Sequence, residues 1–308
     1  MLVSFRRRLE YVAFLIISFP VRFLSAKMVY RLGKVFGCLL FKIGGKRKKI
    51  AQNNLEIAFG DSKTYLEKEK IILNSFCNSA LSLLQCVWVG ASPKERIKEI
   101  IPNPPSGVEN FQKCLERKKG MFVLVAHYGN WELMGISHGY LGLTPLHSIV
   151  RKLDNPYLDR LAEDFRCVSG NSIFYKTEPP LRMVRTVKKN GCIAVMMDQN
   201  TAKGGIFVDF FGKPAATARS IALLSISTGA AILPFFSFPE KNGQYRIQYG
   251  PEISFTPSGD KDKDVFDLTQ KCVSFLESVI RETPDPWMWV HRRWKTRPPG
   301  EVERKVYS

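Results

Sequence analysis

Two hydrophobic periods alternate along this chain, and the positions where one gives way to the other mark its elements. Strand signals fall at residues 121–126, 145–151, 172–175, 191–197, 230–238 and 244–249, and in the first of them Phe122 to Ala126 is an apolar run without polar alternation, the pattern of a strand buried on both faces of a sheet. Between them, apolar residues at helical spacing predict helices over 131–141, 156–168, 179–189, 217–228 and 262–282. Alternation of this kind predicts an α/β fold, with a central, mostly parallel or mixed sheet flanked by helices. Upstream the pattern is helical: 50–59 and 63–89 read as helices, the second bounded by Ser92-Pro93. Gly44-Gly45 and the following lysines form a break, and Pro102 to Pro105 is the one linker-like stretch.

The first residues have a different character. Arg6-Arg-Arg8 precedes the apolar run Tyr11 to Phe19, as in the n- and h-regions of a signal peptide, but no small-x-small site follows and the segment is not read as cleaved. The run is shorter than the roughly 20 residues that span a bilayer. Pro20 and the flanking charges suit an interfacial anchor better, with a tilted spanning helix as the alternative. Next, Leu32, Val35, Phe36, Leu39, Leu40 and Ile43 recur at helical spacing while Lys27, Arg31, Lys34 and Lys42 lie along another face. That is the pattern of a helix lying in an interface, and a core-packing helix with a solvated basic face is its competitor. The net charge is +18, of which residues 1–50 supply +11. A basic bias beside the most apolar run points to an anionic membrane surface and not to nucleic acid. The expected division is an anchor at 1–45 and a catalytic domain at 46–308, made of a helical lead-in (46–105), an α/β core (106–298) and a short basic tail.

Candidate chemistry sits where the first strand ends, in Phe122-Val-Leu-Val-Ala-His127-Tyr-Gly-Asn130-Trp-Glu132. On one continuous helix, residues five apart are about 140° apart around the axis, so His127 and Glu132 meet only if a strand-to-helix corner folds them together. An imidazole beside a carboxylate at such a corner is a general base with an orienting partner. No G-x-S-x-G elbow and no nearby cysteine supplies a nucleophile, so the base would act on a substrate hydroxyl. A structural histidine satisfied by Glu132 is the alternative. Ligand sites in open α/β sheets lie beyond the carboxyl ends of strands, which also singles out Arg151 and Asp198. Position alone leaves Arg151 two fates, a fork for a phosphate or an ion pair with Asp154 or Asp159. Asp198, at the end of so apolar a strand, is expected to be paired, with Arg151 as one partner, or to help position an acceptor. Lys203-Gly204-Gly205 lacks Walker spacing and reads as a loop leading to Phe207-Val-Asp-Phe210-Phe211-Gly212. Those aromatics fit either an acyl-chain channel or an ordinary core. His138 and His147 read as packed or surface residues, and His291 belongs to the aromatic-basic stretch Trp287 to Arg297. Seven scattered cysteines without a C-x2-C pair argue for a reducing compartment and against a zinc site.

The segments "AHYGNWE", "VRKLDNPYLD", "MDQNTAKGGIFVDFFGKPAAT", "GAAILPFF" and "WMWVHRRWKTRP", in this order, resemble those of the lipid A biosynthesis acyltransferases. These late, membrane-bound enzymes are related to the glycerolipid acyltransferase superfamily, and the resemblance covers nearly the whole chain. It implies acyl transfer from a thioester, with acyl carrier protein as donor, to a hydroxyl of a glucosamine-based lipid A precursor at the cytoplasmic face of an inner membrane. His127 and Glu132 would be catalytic, and Asn130, Arg151, Asp198, Gln199, Phe210 and Phe211 would bind substrate. Backbone donors around the turn would stabilise the oxyanion, the Trp287–Arg297 stretch would meet headgroups or an acidic carrier, and no metal or organic cofactor is called for. Other acceptors (a lysophospholipid, an ornithine lipid, a phosphatidylinositol mannoside) and a catalytically silent membrane-binding protein of the same fold are the rival readings.

Overall fold

A computed structural model of the chain describes residues 2–301 and Tyr307, with side chains from Phe5 onward. Six helices come first: α1 (Leu2–Ser18), α2 (Ala26–Ile43), α3 (Gly45–Phe59), α4 (Tyr65–Val89), α5 (Pro93–Ile100) and α6 (Val108–Glu116). The core then runs β1 (Met121–Val125), α7 (Trp131–Tyr140), β2 (Leu146–Val150), α8 (Pro156–Cys167), β3 (Ser172–Tyr175), α9 (Pro180–Lys188) and β4 (Cys192–Met196). It continues through β5 (Gly205–Phe210), β6 (Lys213–Ala218), α10 (Ser220–Thr228), β7 (Ala231–Pro239), β8 (Tyr245–Tyr249) and α11 (Lys261–Glu282).

Six strands form one sheet in the order β3-β2-β4-β1-β7-β8, parallel except for β8. As the unbroken apolar runs require, β1 is buried on both faces. Phe122 and Leu124 point into a core shared with α10 and α11, whereas Met121, Val123 and Val125 join one shared with α6 and α7. The expected α/β sheet flanked by helices is present. The β2 strand departs from expectation: beyond Leu146 it is only partly buried, because a cleft opens along its exit.

Three other differences have local causes. The β5–β6 hairpin that follows the Lys203-Gly204-Gly205 loop is not among the expected strands; it turns on Phe211-Gly212, both at positive φ (+56° and +71°), where Asn-Gly is the recognisable signal. The helix expected from 217 begins at Ser220, since Thr217 still pairs in β6. Helix α3 starts at Gly45, so the Gly-Gly break is a single kink, and α5 and α6 flank the Pro102–Pro105 stretch. The basic tail at 302–306 lies outside the described residues.

Helix α2 seats on α4 through Val29, Gly33 and Gly37, which are buried. The face singled out by periodicity, including Val35, Phe36, Leu39, Leu40 and Ile43, stays exposed, as do Leu9, Ile16, Ile17 and Phe23 around α1. Among the described helices α4 alone has the length and apolarity of a membrane span, and half of that stretch is buried within the protein. The close α2–α4 approach depends on glycine. A Cβ at Gly37 would lie 2.3 Å from the Cys77 Cα and one at Gly33 2.8 Å from the Leu81 Cα. Alanine would gain about 1 kcal/mol of helix propensity, but overpacking costs about 1–3 kcal/mol per site. The Gly33→Ala/Gly37→Ala double variant should therefore melt lower than wild type. An unchanged or higher melting temperature would show that α2 is not seated this way.

Candidate active site

Parallel register brings the chemistry together. Strand β1 pairs with β4 from Met121 opposite Cys192 to Val125 opposite Met196. Two residues further along each strand stand His127 and Asp198. The His127 backbone amide donates to Asp198 Oδ2 at 2.9 Å, and its ring Nδ1 lies 3.0 Å from Oδ1. Trp287 Nε1 donates to the same Oδ2 at 2.9 Å.

Asp198 is almost wholly buried. Burial by itself raises a carboxylate pKa, but His127, the Trp287 indole and the His127 amide together outweigh it and hold Asp198 down to about 2. The folded value lies below the ordinary one of about 3.9. Ionised Asp198 therefore contributes stability that is present above about pH 4 and is lost as pH falls through the folded value. An ionised carboxylate only accepts, so Nδ1 carries the proton and Nε2 keeps its lone pair. Gln199 Nε2 lies 3.2 Å from that Nε2.

The turn between β1 and α7 is over-determined. Gly129 has φ +60°, and a Cβ there would lie 1.9 Å from the Ser237 carbonyl oxygen. Asn130 is buried: its Oδ1 caps α7 by accepting from Leu133 N at 3.2 Å, and its Nδ2 donates to Gln85 Oε1 at 3.1 Å. Asn130 therefore shapes the corner and, contrary to expectation, is not among the residues that line the cleft. The turn's amides are committed too: Tyr128 to Ala126 O, Gly129 to Pro286 O and Asn130 to Ser237 Oγ.

Glu132 does not orient His127. Its carboxylate accepts two hydrogen bonds from Arg166, at 2.9 Å from Nε and 2.6 Å from Nη2, and this pairing raises the Arg166 pKa. In the first turn of α7 it meets the last turn of α8, while Asp198 arrives across the sheet and takes Nδ1. Arg166 was not anticipated, since nothing in the pattern of α8 marks one cation among several.

His127, Glu132, Arg166 and Gln199 all line a cleft of about 650 Å³ beyond the ends of β1, β2 and β4. Its depth is apolar, with Val125, Met134, Ile136, Leu146, Ala194 and Phe235. At the exposed end Arg151, with 79% of its side chain accessible, is 3.5 Å from an equally open Asp154. Such a pair contributes little. The buried-strand strut imagined for Arg151 is absent: Asp198 is taken by His127, and Asp159 accepts from Leu153 N and the Tyr175 hydroxyl.

Phe210 and Phe211 do not line the cleft. Phe210 stacks on Trp294, and Phe211 meets Phe59 and Trp289 in the core. The Trp287–Arg297 stretch closes that core and offers little to a headgroup or carrier: Trp287, Trp289, Arg293 and Trp294 are fully buried. Arg293 lies against the Phe210 ring and donates to Ala216 O at 2.8 Å and Thr217 Oγ1 at 2.6 Å, while burial lowers its pKa to about 10. His138, bonded to the Thr144 carbonyl, and His147, beside Ser172, are packed residues.

Fold and site define an α/β protein with an imidazole at a strand exit, open to a cleft with an apolar floor. The chain belongs to the bacterial lipid A biosynthesis acyltransferase family, whose profile matches residues 3–296, and it is an acyltransferase. It is 28% identical over 284 residues to the lipid A biosynthesis lauroyltransferase of Escherichia coli K12, covering 90% of this chain and 88% of the relative. The palmitoleoyltransferase of the same organism is 26% identical over 88% of this chain and 86% of its own. A phosphatidylinositol mannoside acyltransferase of Mycolicibacterium smegmatis is 25% identical over 61% of this chain and 60% of its own.

If Asp198 fixes the tautomer, Asp198→Asn should cut kcat by about 10²- to 10⁴-fold, because the amide permits the wrong ring proton. Glu132→Gln leaves that pair intact and should act through Arg166. An Asp198→Asn enzyme with wild-type turnover would remove the carboxylate from the mechanism.

Proposed function

We propose that this protein transfers a fatty acyl chain from an acyl thioester, carried by acyl carrier protein, to a hydroxyl of a lipid A precursor at the cytoplasmic face of the inner membrane. The observation that carries the reading is the imidazole Nε2 of His127, left basic by the Asp198 contact and turned toward the cleft. The names of the relatives matched over nearly the whole chain support the acceptor, and the mannoside-acylating relatives are matched over less of it.

His127 Nε2 takes the acceptor's hydroxyl proton as the oxygen attacks the thioester carbon. The new C–O bond forms, the tetrahedral centre collapses, the C–S bond breaks, and the imidazolium returns the proton to the departing sulfur. The apolar depth of the cleft receives acyl chain. Glu132 acts by holding Arg166 at the cleft wall, where the guanidinium meets charge on donor or acceptor. Arg151, scarcely engaged by Asp154, is free to grip an acceptor phosphate with its fork.

Residues 1–45 anchor the catalytic unit, 46–308, to the membrane. Their exposed apolar side chains lie beside Arg6, Arg31, Lys34 and Lys42, a combination suited to an anionic surface. Helix α1 meets α8 through Arg8 Nε to the Tyr157 hydroxyl at 3.0 Å, which sets the anchor near the exposed end of the cleft.

In a strain lacking the protein, complementation with wild type should restore one secondary acyl mass to lipid A, and His127→Ala should not. With purified protein, His127→Ala should lower kcat by at least about 100-fold. Near-normal turnover in the folded variant, or an unaltered lipid A spectrum in the deletion strain, would overturn the reading.

A further inference from the structure

When a thioester carbon becomes tetrahedral, its former carbonyl oxygen carries negative charge and needs hydrogen-bond donors already in place. The turn after β1, the obvious source, has none to give at residues 127–130. His127 N is held by Asp198, Tyr128 N by Ala126 O, Gly129 N by Pro286 O and Asn130 N by Ser237 Oγ. Two of the cleft's side-chain amides are also committed. Asn171 Nδ2 donates to Gly135 O at 2.7 Å, and Asn200 Nδ2 donates to Thr296 Oγ1 at 3.0 Å. Arg166 gives Nε and Nη2 to Glu132, which leaves Nη1 to meet charge at the cleft wall.

Gln199 differs from these. Its side chain lines the cleft, and among the described residues its one hydrogen-bond contact is with His127 Nε2, at 3.2 Å. Because Asp198 places the ring proton on Nδ1, the group facing the Nε2 lone pair is the NH2 end of the amide. A donor in that position blocks the base only while the cleft is empty. An acceptor hydroxyl that takes Nε2 for itself displaces the amide by about one hydrogen-bond length and leaves its N–H groups beside the reacting carbon.

We propose that Gln199 is the oxyanion donor of this acyl transfer and that the same N–H caps His127 in the resting enzyme. The proposal rests on His127 being the general base. As the acceptor oxygen bonds to the thioester carbon, the C=O π pair moves onto the carbonyl oxygen and Gln199 Nε2–H donates to it. When the pair returns, the C–S bond breaks and the thiolate leaves with the proton held by His127. No co-reactant beyond acceptor and thioester is involved.

The test uses the full-length protein in detergent micelles, a lauroyl thioester of acyl carrier protein, and a lipid A precursor bearing free 3-hydroxyacyl groups. Gln199→Met keeps size and removes the donor. Its single-turnover rate should fall by about 100-fold, the lower range for losing one oxyanion-hole donor, with KM for both substrates within about threefold and the melting temperature unchanged. Gln199→Glu should be at least as slow, since a carboxylate pairs with the imidazolium and repels the oxyanion. A Gln199→Met rate within threefold of wild type or a loss confined to KM overturns the proposal. His127→Ala run in parallel separates the two readings: if it is inactive while Gln199→Met is normal, only the role of Gln199 fails. If His127→Ala is itself normal, the general-base reading fails and this one with it.

Discussion

The buried Asp198 carboxylate and its contact with His127 constrain everything around them. An ionised carboxylate inside a protein is tolerable only when its oxygens are satisfied by donors. Two elements supply them to the carboxylate at the β4 exit: the β1 exit gives the His127 amide and ring, and the stretch after α11 gives the Trp287 indole. That last stretch also grips the base's own backbone, since Met288 N donates to His127 O at 3.0 Å. Loosening either of the two would leave a buried charge short of donors, so the geometry of this corner and its local stability are one property.

The same corner is tied to the N-terminal helices. Along α4, Ser75 donates to Trp287 O at 2.6 Å, Asn78 and Ser82 both donate to Gly129 O, and Gln85 accepts from Asn130. On its other side α4 seats α2 through Gly33 and Gly37. The N-terminal helices and the turn after β1 thus share one helix, which accounts for why α4 is apolar enough to resemble a membrane span yet half buried. Polar residues at intervals along it serve the turn, and apolar ones serve the core.

The sheet and its flanking helices were legible because β1, β4 and β7 are apolar on both faces and α8, α9 and α11 keep a helical period. The place of His127 at a strand exit, facing the cleft, was legible too. Its partner was not. The five-residue spacing to Glu132 suggested a local pair, whereas the real contact spans 71 residues and depends on which strands adjoin and in what register. Periodicity carries neither. The aromatic residues misled for a related reason: a Phe-Phe-Gly run has the same composition in a channel and in a core, and only the hairpin turn, with Phe211 at positive φ, decides between them. Asn130 was correctly placed at a helix start, and its cap contact is what removes it from the substrate list.

The central claim is that Asp198 holds the proton of His127 on Nδ1 and leaves Nε2 as the base. Nitrogen-15 NMR of the His127 ring in detergent-solubilised protein, at a pH where the imidazole is neutral, reads this directly. The account predicts a protonated Nδ1 and an unprotonated Nε2 in wild type, with that preference lost in Asp198→Asn. A wild-type ring protonated on Nε2 would contradict it.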